Sequence, residues 1–211
     1  MFFLVKDNSI DFIKIWRIMR IVLPIFAVFI GYYNIMLKKR NRVLNAISTI
    51  DVMLKKRNDL NFIIPTKRIH RFLECIPSDW GKGYDNVAIA VSCENQLYAD
   101  KRLPFFLELP IKHKIVFVSP ILEEVRLEKY LATKKIEKVC VAGESYDNAR
   151  LCDFDWILNL HEQCKKYNTA FEFYQTGSNF KKDGKIFKIS HFKEFAQAKK
   201  ANLDFEPKKA N

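Results

Sequence analysis

The chain has 211 residues, of which 49% are hydrophobic and 28% are charged, with only 6 glycines and 7 prolines. This composition excludes a disordered, collagen-like or low-complexity protein and is typical of a globular domain with a sizeable core. The net charge is +12, and half of it lies in residues 1–50, where eight Lys and Arg face two Asp and Glu (8 − 2 = +6). A positive surface favours anionic partners, nucleic acid or phospholipid headgroups, and the alternative is a soluble protein that is merely rich in lysine.

An uncharged apolar run extends from Ile21 to Leu37, with basic residues on both sides. Its length is close to the lower limit for a helix that crosses a bilayer. We therefore expect residues 1–50 to form an atypical apolar and basic segment with an apolar helix. Two interpretations stay open for this helix: insertion in a membrane, and packing as a core helix of a cytoplasmic protein.

Residues 51–205 alternate between short apolar runs and helix-like segments. The runs predict five strands: Leu60–Pro65, Val87–Val91, Lys114–Val118, Lys138–Ala142 and Phe171–Tyr174. Helices are predicted over Lys67–Glu74, Gln96–Leu107, Leu127–Lys134 and Asp153–Tyr167, with Asp153 as an N-cap. Strands without a polar face, each followed by a helix, are typical of βαβ units with a parallel sheet, either barrel-like or open.

Polar residues follow each predicted strand. Since the carboxyl ends of parallel strands meet at one face, where α/β proteins bind ligands, these residues predict a site for a polar, charged ligand. The alternative is that they only cap the following helices. The candidate ligand-binding residues are Lys67, Arg68, Glu94, Asn95, Glu144, Ser145 and Gln175.

Catalytic and metal-binding motifs are missing from the sequence. It has no phosphate-binding loop, no dinucleotide fingerprint and no nucleophile elbow. The cysteines are Cys75, Cys93, Cys140, Cys152 and Cys164, and no two of them have the C-x-x-C spacing. We expect reduced, buried thiols in a cytoplasmic protein, no metal site and an unassigned catalytic residue.

A basic and aromatic stretch runs from Phe180 to Lys188. Such interleaving is able to stack bases and contact phosphates, which would make nucleic acid a partner. The other interpretation is a Lys-rich hairpin that turns at Asp183-Gly184. Residues 206–211 are predicted to be a frayed tail.

Residues from about Val52 to Phe205 resemble a phage-associated protein family of unknown function, the gene-product thirty-seven/sixty-eight family. The stretches that carry the resemblance are Asn58–Phe62, Thr66–Phe72, Asp79–Val87, Glu94–Gln96, Arg102–Pro104, Leu107–Lys114, Gly143–Ser145, Asn148–Arg150, Cys152–Trp156, Gln175–Gly177 and Gln197–Ala201.

The resemblance implies a radical S-adenosylmethionine-like protein: an iron–sulfur cluster held by closely spaced cysteines, followed by a parallel α/β barrel. It also implies that Lys67, Arg68, Glu94, Asn95, Glu144 and Gln175 line the ancestral site. Here no cysteine precedes Cys75, so the cluster ligands are missing and we expect no cofactor.

The expected fold is therefore an α/β partial TIM-like barrel, truncated at its N-terminus and without enzymatic iron–sulfur chemistry. An incomplete barrel leaves an open sheet edge. Either residues 1–50 or a second copy of the chain, in a homodimer, is expected to cover it.

Overall fold

Eight strands form two sheets in the computed structural model, which describes residues 54–55 and 57–207. In chain order the strands are β1 (Phe62–Thr66), β2 (Val87–Ser92), β3 (His113–Val118), β4 (Lys138–Ala142), β5 (Cys152–Asp153), β6 (Ala170–Gln175), β7 (Asn179–Lys182) and β8 (Lys185–Lys188). The helices are α1 (Phe72–Cys75), α2 (Gln96–Glu108), α3 (Glu128–Leu131), α4 (Phe154–Tyr167) and α5 (His191–Lys200). A 3₁₀ turn, Ile69–Arg71, precedes α1.

The main sheet has the order β1-β2-β3-β4-β6, and every neighbouring pair is parallel. Each strand lies beside the previous strand of the same sheet, so the chain never reverses its direction across the sheet. Right-handed connections then place successive helices on the same face, which is the winding of a βα barrel. The predicted parallel α/β sheet is confirmed. The described residues contain no strand that joins β1 to β6, so the barrel stays a prediction.

One face of this sheet is a continuous apolar core. The strand register places Val91, Val116, Val139 and Phe171 side by side, and all four are buried. Helices α2 and α4 cover this face, and the ring of His161 on α4 contacts Phe171 at 5.4 Å between centroids. Burying β-branched and aromatic side chains in this way supplies most of the free energy that stabilises the fold.

The opposite face of the sheet is less completely covered. In this face Ile63 on β1 is 53% exposed and Tyr174 on β6 is 47% exposed. Helix α5 packs beside β6 on this side, where the rings of Tyr174 and Phe195 meet at 5.5 Å and Lys199 pairs with Glu172.

The two outer strands of the sheet, β1 and β6, differ in whether the backbone groups on their outer edge form hydrogen bonds. Phe171 and Phe205 exchange two backbone hydrogen bonds, and the Asp204 carboxylate accepts one from the Phe173 amide at 3.0 Å. The segment around Phe205 thus covers the edge of β6. Residues 208–211 lie outside the described residues. No described strand pairs with the outer edge of β1, where the expected homodimer contact stays a prediction.

Several predicted local features are confirmed. Asp153 caps α4 by accepting a hydrogen bond from the Asp155 amide at 3.1 Å. The Lys-rich hairpin exists as β7 and β8, and Asp183 and Gly184 at its turn have φ of 51° and 72°. Positive φ at both central residues gives the turn that matches the twist of paired strands.

The predicted N-terminal segment, residues 1–50 with the apolar run Ile21–Leu37, lies outside the described residues. The described unit begins at Leu54. Within residues 54–55 and 57–207, no helix has the length and apolar character that crossing a membrane requires.

The packing of α2 on the sheet yields a stability prediction. Leu103 is fully buried, whereas Leu97 on the same helix is 70% exposed. Leu103→Ala should lower the free energy of unfolding by about 2–5 kcal/mol because it leaves a cavity. The matched variant Leu97→Ala should change it by no more than about 0.5 kcal/mol. Urea unfolding followed by circular dichroism measures both, and equal effects of the two substitutions would contradict the packing described.

Candidate functional site

The loops that follow the parallel strands form one connected edge of the sheet, which we call the carboxyl edge. The Cys93 amide donates to the Phe117 carbonyl at 2.7 Å, and the Ile121 amide donates to the Ala142 carbonyl at 2.8 Å. The Gly143 amide in turn donates to the Gln175 carbonyl at 3.0 Å. Backbone hydrogen bonds therefore join the loops after β2, β3 and β4 to the end of the neighbouring strand, which holds these loops side by side.

Glu94 is the buried carboxylate of this edge, with only 6% of its surface exposed. Lys67 contacts one of its oxygens at 2.6 Å and Arg102 the other at 2.6 Å. Burial opposes ionisation of Glu94, but hydrogen bonds from Lys67, its own backbone and Arg102 together hold its pKa below the ordinary value. A buried carboxylate that binds two cations remains charged and fixes both of them.

A cavity of about 400 Å³ lies beside this cluster, and we call it the Lys67 pocket. It is lined by Lys67, Ile69, His70, Tyr98, Lys101, Arg102 and Phe105. The Arg102 guanidinium lies 4.1 Å from the centre of the Tyr98 ring, a cation–π contact that holds the guanidinium in place. The pocket therefore combines cationic groups with aromatic walls.

Two of the predicted ligand-binding residues, Asn95 and Arg68, do not line the Lys67 pocket. The Asn95 side chain accepts a hydrogen bond from the Tyr98 amide at 3.0 Å, so it caps α2. The Arg68 amide donates to the Thr66 hydroxyl at 3.0 Å within the loop, and the Arg68 side chain is exposed. For Asn95 the capping interpretation of the strand-end residues agrees with the observed contact.

Glu144 forms a bidentate ion pair with Arg150. The guanidinium nitrogens lie 2.8 and 2.9 Å from the two carboxylate oxygens, and the Arg150 amide donates at 2.8 Å as well. These hydrogen bonds lower the pKa of Glu144 to about 2, and the charge of Lys67 contributes to the shift. Glu94 likewise contributes to the raised pKa of Arg150. The loops after β1, β2 and β4 thus bring two acid–base clusters into electrostatic contact.

The remaining predicted residues, Ser145 and Gln175, are half-buried and belong to a hydrogen-bond network around the buried Glu194. The Gln175 amide donates to the Ser145 hydroxyl at 2.7 Å, and that hydroxyl donates to Glu194 at 2.5 Å. Ser178 donates to the other Glu194 oxygen at 2.5 Å. Because it accepts hydrogen bonds from both serines, the Glu194 carboxylate joins the loops after β4 and β6 to the start of α5. This residue is buried, with 1% of its surface exposed. The sequence prediction missed Glu194, and it also missed Arg102 and Arg150.

Two glycines permit the loops after β4 and β6 to touch. A Cβ at Gly177 would lie 2.6 Å from the Glu144 carbonyl oxygen, and Gly177 has a φ of +76°. A Cβ at Gly143 would overlap the Thr176 backbone. A side chain at either position would therefore separate the loops that carry Glu144 and Ser178.

The five cysteines do not form a cluster. Cys93, Cys140, Cys152 and Cys164 are each buried enough that their thiol pKa is raised to about 12, while Cys75 is exposed. Cluster iron is held by thiolates that converge on it, whereas these cysteines lie on separate elements of the structure. Within the described part of the chain, no three metal-binding side chains come together. The residues present do not fit an iron–sulfur cluster.

Residues 37–206, which make up more than half of the chain, match a family described as "Protein of unknown function (DUF5131)". The chain belongs to this family. The family match begins at residue 37, whereas the resemblance found in the sequence begins at about Val52. The matched residues include the whole carboxyl edge. No curated protein matches this DUF5131 chain, and no solved structure matches it either.

The Glu144–Arg150 pair of this DUF5131 protein predicts a pH-dependent coupling. Because the folded pKa of Glu144 is depressed, its contribution to stability is complete above about pH 4.5 and is lost as the pH falls toward 2. A double-mutant cycle with Glu144→Gln and Arg150→Met should give a coupling of about 0.5–1 kcal/mol at neutral pH.

Urea unfolding of the four proteins measures this coupling. When the cycle is repeated between about pH 6 and about pH 3, the coupling should stay constant down to about pH 4.5 and decrease below it. Other carboxylates titrate in all four proteins and cancel in the cycle. A coupling that stays constant over this range would show that the pair does not hold Glu144 in its ionised form.

Proposed function

We propose that this DUF5131 domain is a non-catalytic binding module that holds an anionic group in the Lys67 pocket. The observation that carries the proposal is the charge of the pocket. Lys67, Lys101 and Arg102 are three cations, and the buried Glu94 is the carboxylate that pairs with Lys67 and Arg102, whereas no described carboxylate pairs with Lys101. An incoming anion would balance this excess.

Access to the cations supports the same proposal. The Lys67 side chain is 59% exposed although its ammonium contacts Glu94, so the ammonium is able to contact a second anion from the solvent side. Among the described residues, Lys101 and His70 have no ion-pair partner. Arg102, in contrast, is 13% exposed and is fixed by Glu94 and by the Ser92 carbonyl. A fixed guanidinium beside exposed ammonium groups suits the oxygens of a phosphate or carboxylate.

The chemistry of the cysteines supports a role without iron–sulfur catalysis. Three of the thiols are buried and that of Cys140 is half-buried, and these four lie on different elements: Cys93 after β2, Cys140 on β4, Cys152 on β5 and Cys164 on α4. Residues 1–74 contain no cysteine. A radical S-adenosylmethionine protein needs three converging thiolates, so this chain would keep the barrel-like scaffold without the cluster.

The phage origin and the relation to radical S-adenosylmethionine barrels rest on the sequence resemblance. The sequential order of the parallel strands supports the barrel part of this proposal, because singly wound βα units have that order. A ligand site at the carboxyl ends of the strands is then expected whether or not the barrel is complete.

The anion site is tested by titration with inorganic pyrophosphate. Isothermal titration calorimetry at low salt should detect binding to the full-length protein. Lys67→Ala and Lys101→Ala should each weaken the affinity about tenfold, because each removes a charged hydrogen-bond donor. The affinity should also fall as salt is added, since exposed charges are screened.

Lys165→Ala is the matched control for these variants. Lys165 is an exposed lysine in the last turn of α4, a helix that ends where β6 begins and therefore lies at the amino edge of the sheet. Its loss should leave the affinity unchanged. An equal loss in all three variants, or no binding by the wild type at low salt, would contradict the proposed site.

The absence of cluster chemistry is tested by anaerobic reconstitution. We expect the full-length protein, incubated with ferrous iron and sulfide under reducing conditions and then desalted, to retain no stoichiometric iron and no visible charge-transfer absorption. A variant with all five cysteines changed to serine is the control. Iron and absorption that are present in the wild type and lost in the control would overturn the non-catalytic proposal.

A further inference from the structure

A second cavity, of about 640 Å³, opens at the carboxyl edge beside β6. We call it the Tyr146 pocket, after the aromatic residue in its wall. The loop after β4, the loop after β6 and the start of α5 line it, and its side chains include Tyr146, Asp147, Asn179, Lys188 and His191. Its volume falls within the range that small-molecule ligands occupy.

Three aromatic rings lie in series, of which Tyr146 and His191 line the pocket and Phe192 contacts His191. The centroids of Tyr146 and His191 are 5.0 Å apart, and those of His191 and Phe192 are 3.8 Å apart. Tyr146 is 69% exposed and Phe192 is 84% exposed. Exposed rings of this kind do not pack in the hydrophobic core, and planar ligands are able to stack on their free faces.

The backbone that presents Tyr146 is strained and firmly held. Tyr146 and Asn148 both have left-handed backbone conformations, with φ of 76° and 61°. The Tyr146 amide donates to the Ser178 hydroxyl at 2.8 Å, and Ser178 is fixed by the buried Glu194. A strained loop that a buried carboxylate fixes through a hydroxyl is typical of a preorganised binding site.

Two polar side chains of the pocket have charge or hydrogen-bonding capacity that no described residue uses. The Asn179 side-chain oxygen is buried and has no hydrogen-bond partner among the described residues, although the same side chain donates to the Ala149 carbonyl at 3.3 Å. Lys188 lines the pocket and forms no ion pair within the described chain, whereas Lys181 on the neighbouring strand is paired with Asp153. The pocket thus offers an acceptor, a cation and an aromatic surface.

We propose that the Tyr146 pocket binds a base of single-stranded nucleic acid, stacked on the Tyr146–His191–Phe192 series, with its backbone phosphate near Lys188. The unpaired Asn179 oxygen and the Asp147 carboxylate accept hydrogen bonds from the amino group of the base. The ligand is single-stranded, because bases inside a duplex are stacked on each other and unavailable to such a pocket. Residues 51–211 add a net charge of +6 (28 − 22), which attracts the phosphate backbone.

This inference goes beyond the proposed function, since the Tyr146 pocket and the Lys67 pocket share no residue. The loop after β4 contributes Tyr146 and Asp147 to the Tyr146 pocket and no residue to the Lys67 pocket. Each pocket can therefore be tested by substitutions that leave the other unchanged.

Fluorescence anisotropy with labelled adenine-rich DNA of about 15 nucleotides tests the inference on the full-length protein at low salt. Tyr146→Ala and Phe192→Ala should each weaken binding about fivefold or more, and Tyr146→Phe should bind like the wild type because the ring is retained. Lys188→Ala should weaken binding and reduce its dependence on salt. Tyr174→Ala, which removes an exposed ring outside the pocket, is the matched control.

Pyrophosphate affinity measured on the same variants separates the two pockets. Tyr146→Ala should leave it unchanged, so a defect in DNA binding alone supports the inference whatever the outcome for the Lys67 pocket. The inference is overturned if the wild type does not bind the single strand, if it binds a duplex of the same length equally well, or if Tyr146→Ala and Tyr174→Ala have equal effects. Thermal unfolding of each variant identifies any that fails to fold.

Discussion

The parallel, sequential order of the main sheet is the constraint on which the rest of the structure depends. It directs all the carboxyl ends of the strands to one edge, where backbone hydrogen bonds such as Gly143 to Gln175 join adjacent loops. Residues far apart in sequence, such as Lys67 and Glu94, therefore meet at 2.6 Å. Charge and geometry at this edge follow from the topology, because no single loop supplies a complete site.

Regular elements could be predicted from sequence where local chemistry decides them. The buried strands are short β-branched runs, Asp153 stands directly before an amphipathic helix, and Asp183-Gly184 favours a hairpin turn. Helix α5 was not predicted, because its buried positions include Glu194 and Ala198 while Phe192 is 84% exposed. Phe192, one of the most hydrophobic residues of the helix, is therefore not on the face that packs against the rest of the protein.

The candidate site was predictable only in part for a related reason. The rule for strand ends identifies Lys67, Glu94 and Glu144, but it does not identify their partners, since Arg102 lies within a helix and Arg150 six residues beyond Glu144. It also does not separate Asn95, which caps α2, from residues that face a ligand. Partner choice depends on tertiary contacts that no local spacing encodes.

The central claim is that anions bind at the carboxyl edge of the sheet, and amide chemical shifts test it most directly. A two-dimensional ¹H–¹⁵N spectrum of labelled protein, titrated with pyrophosphate, reports which backbone amides sense the ligand. The largest shifts are expected at Lys67, Glu94 and Lys101, and none in the last turn of α4. Shifts confined to the amino edge, or spread evenly over the exposed lysines, would contradict it.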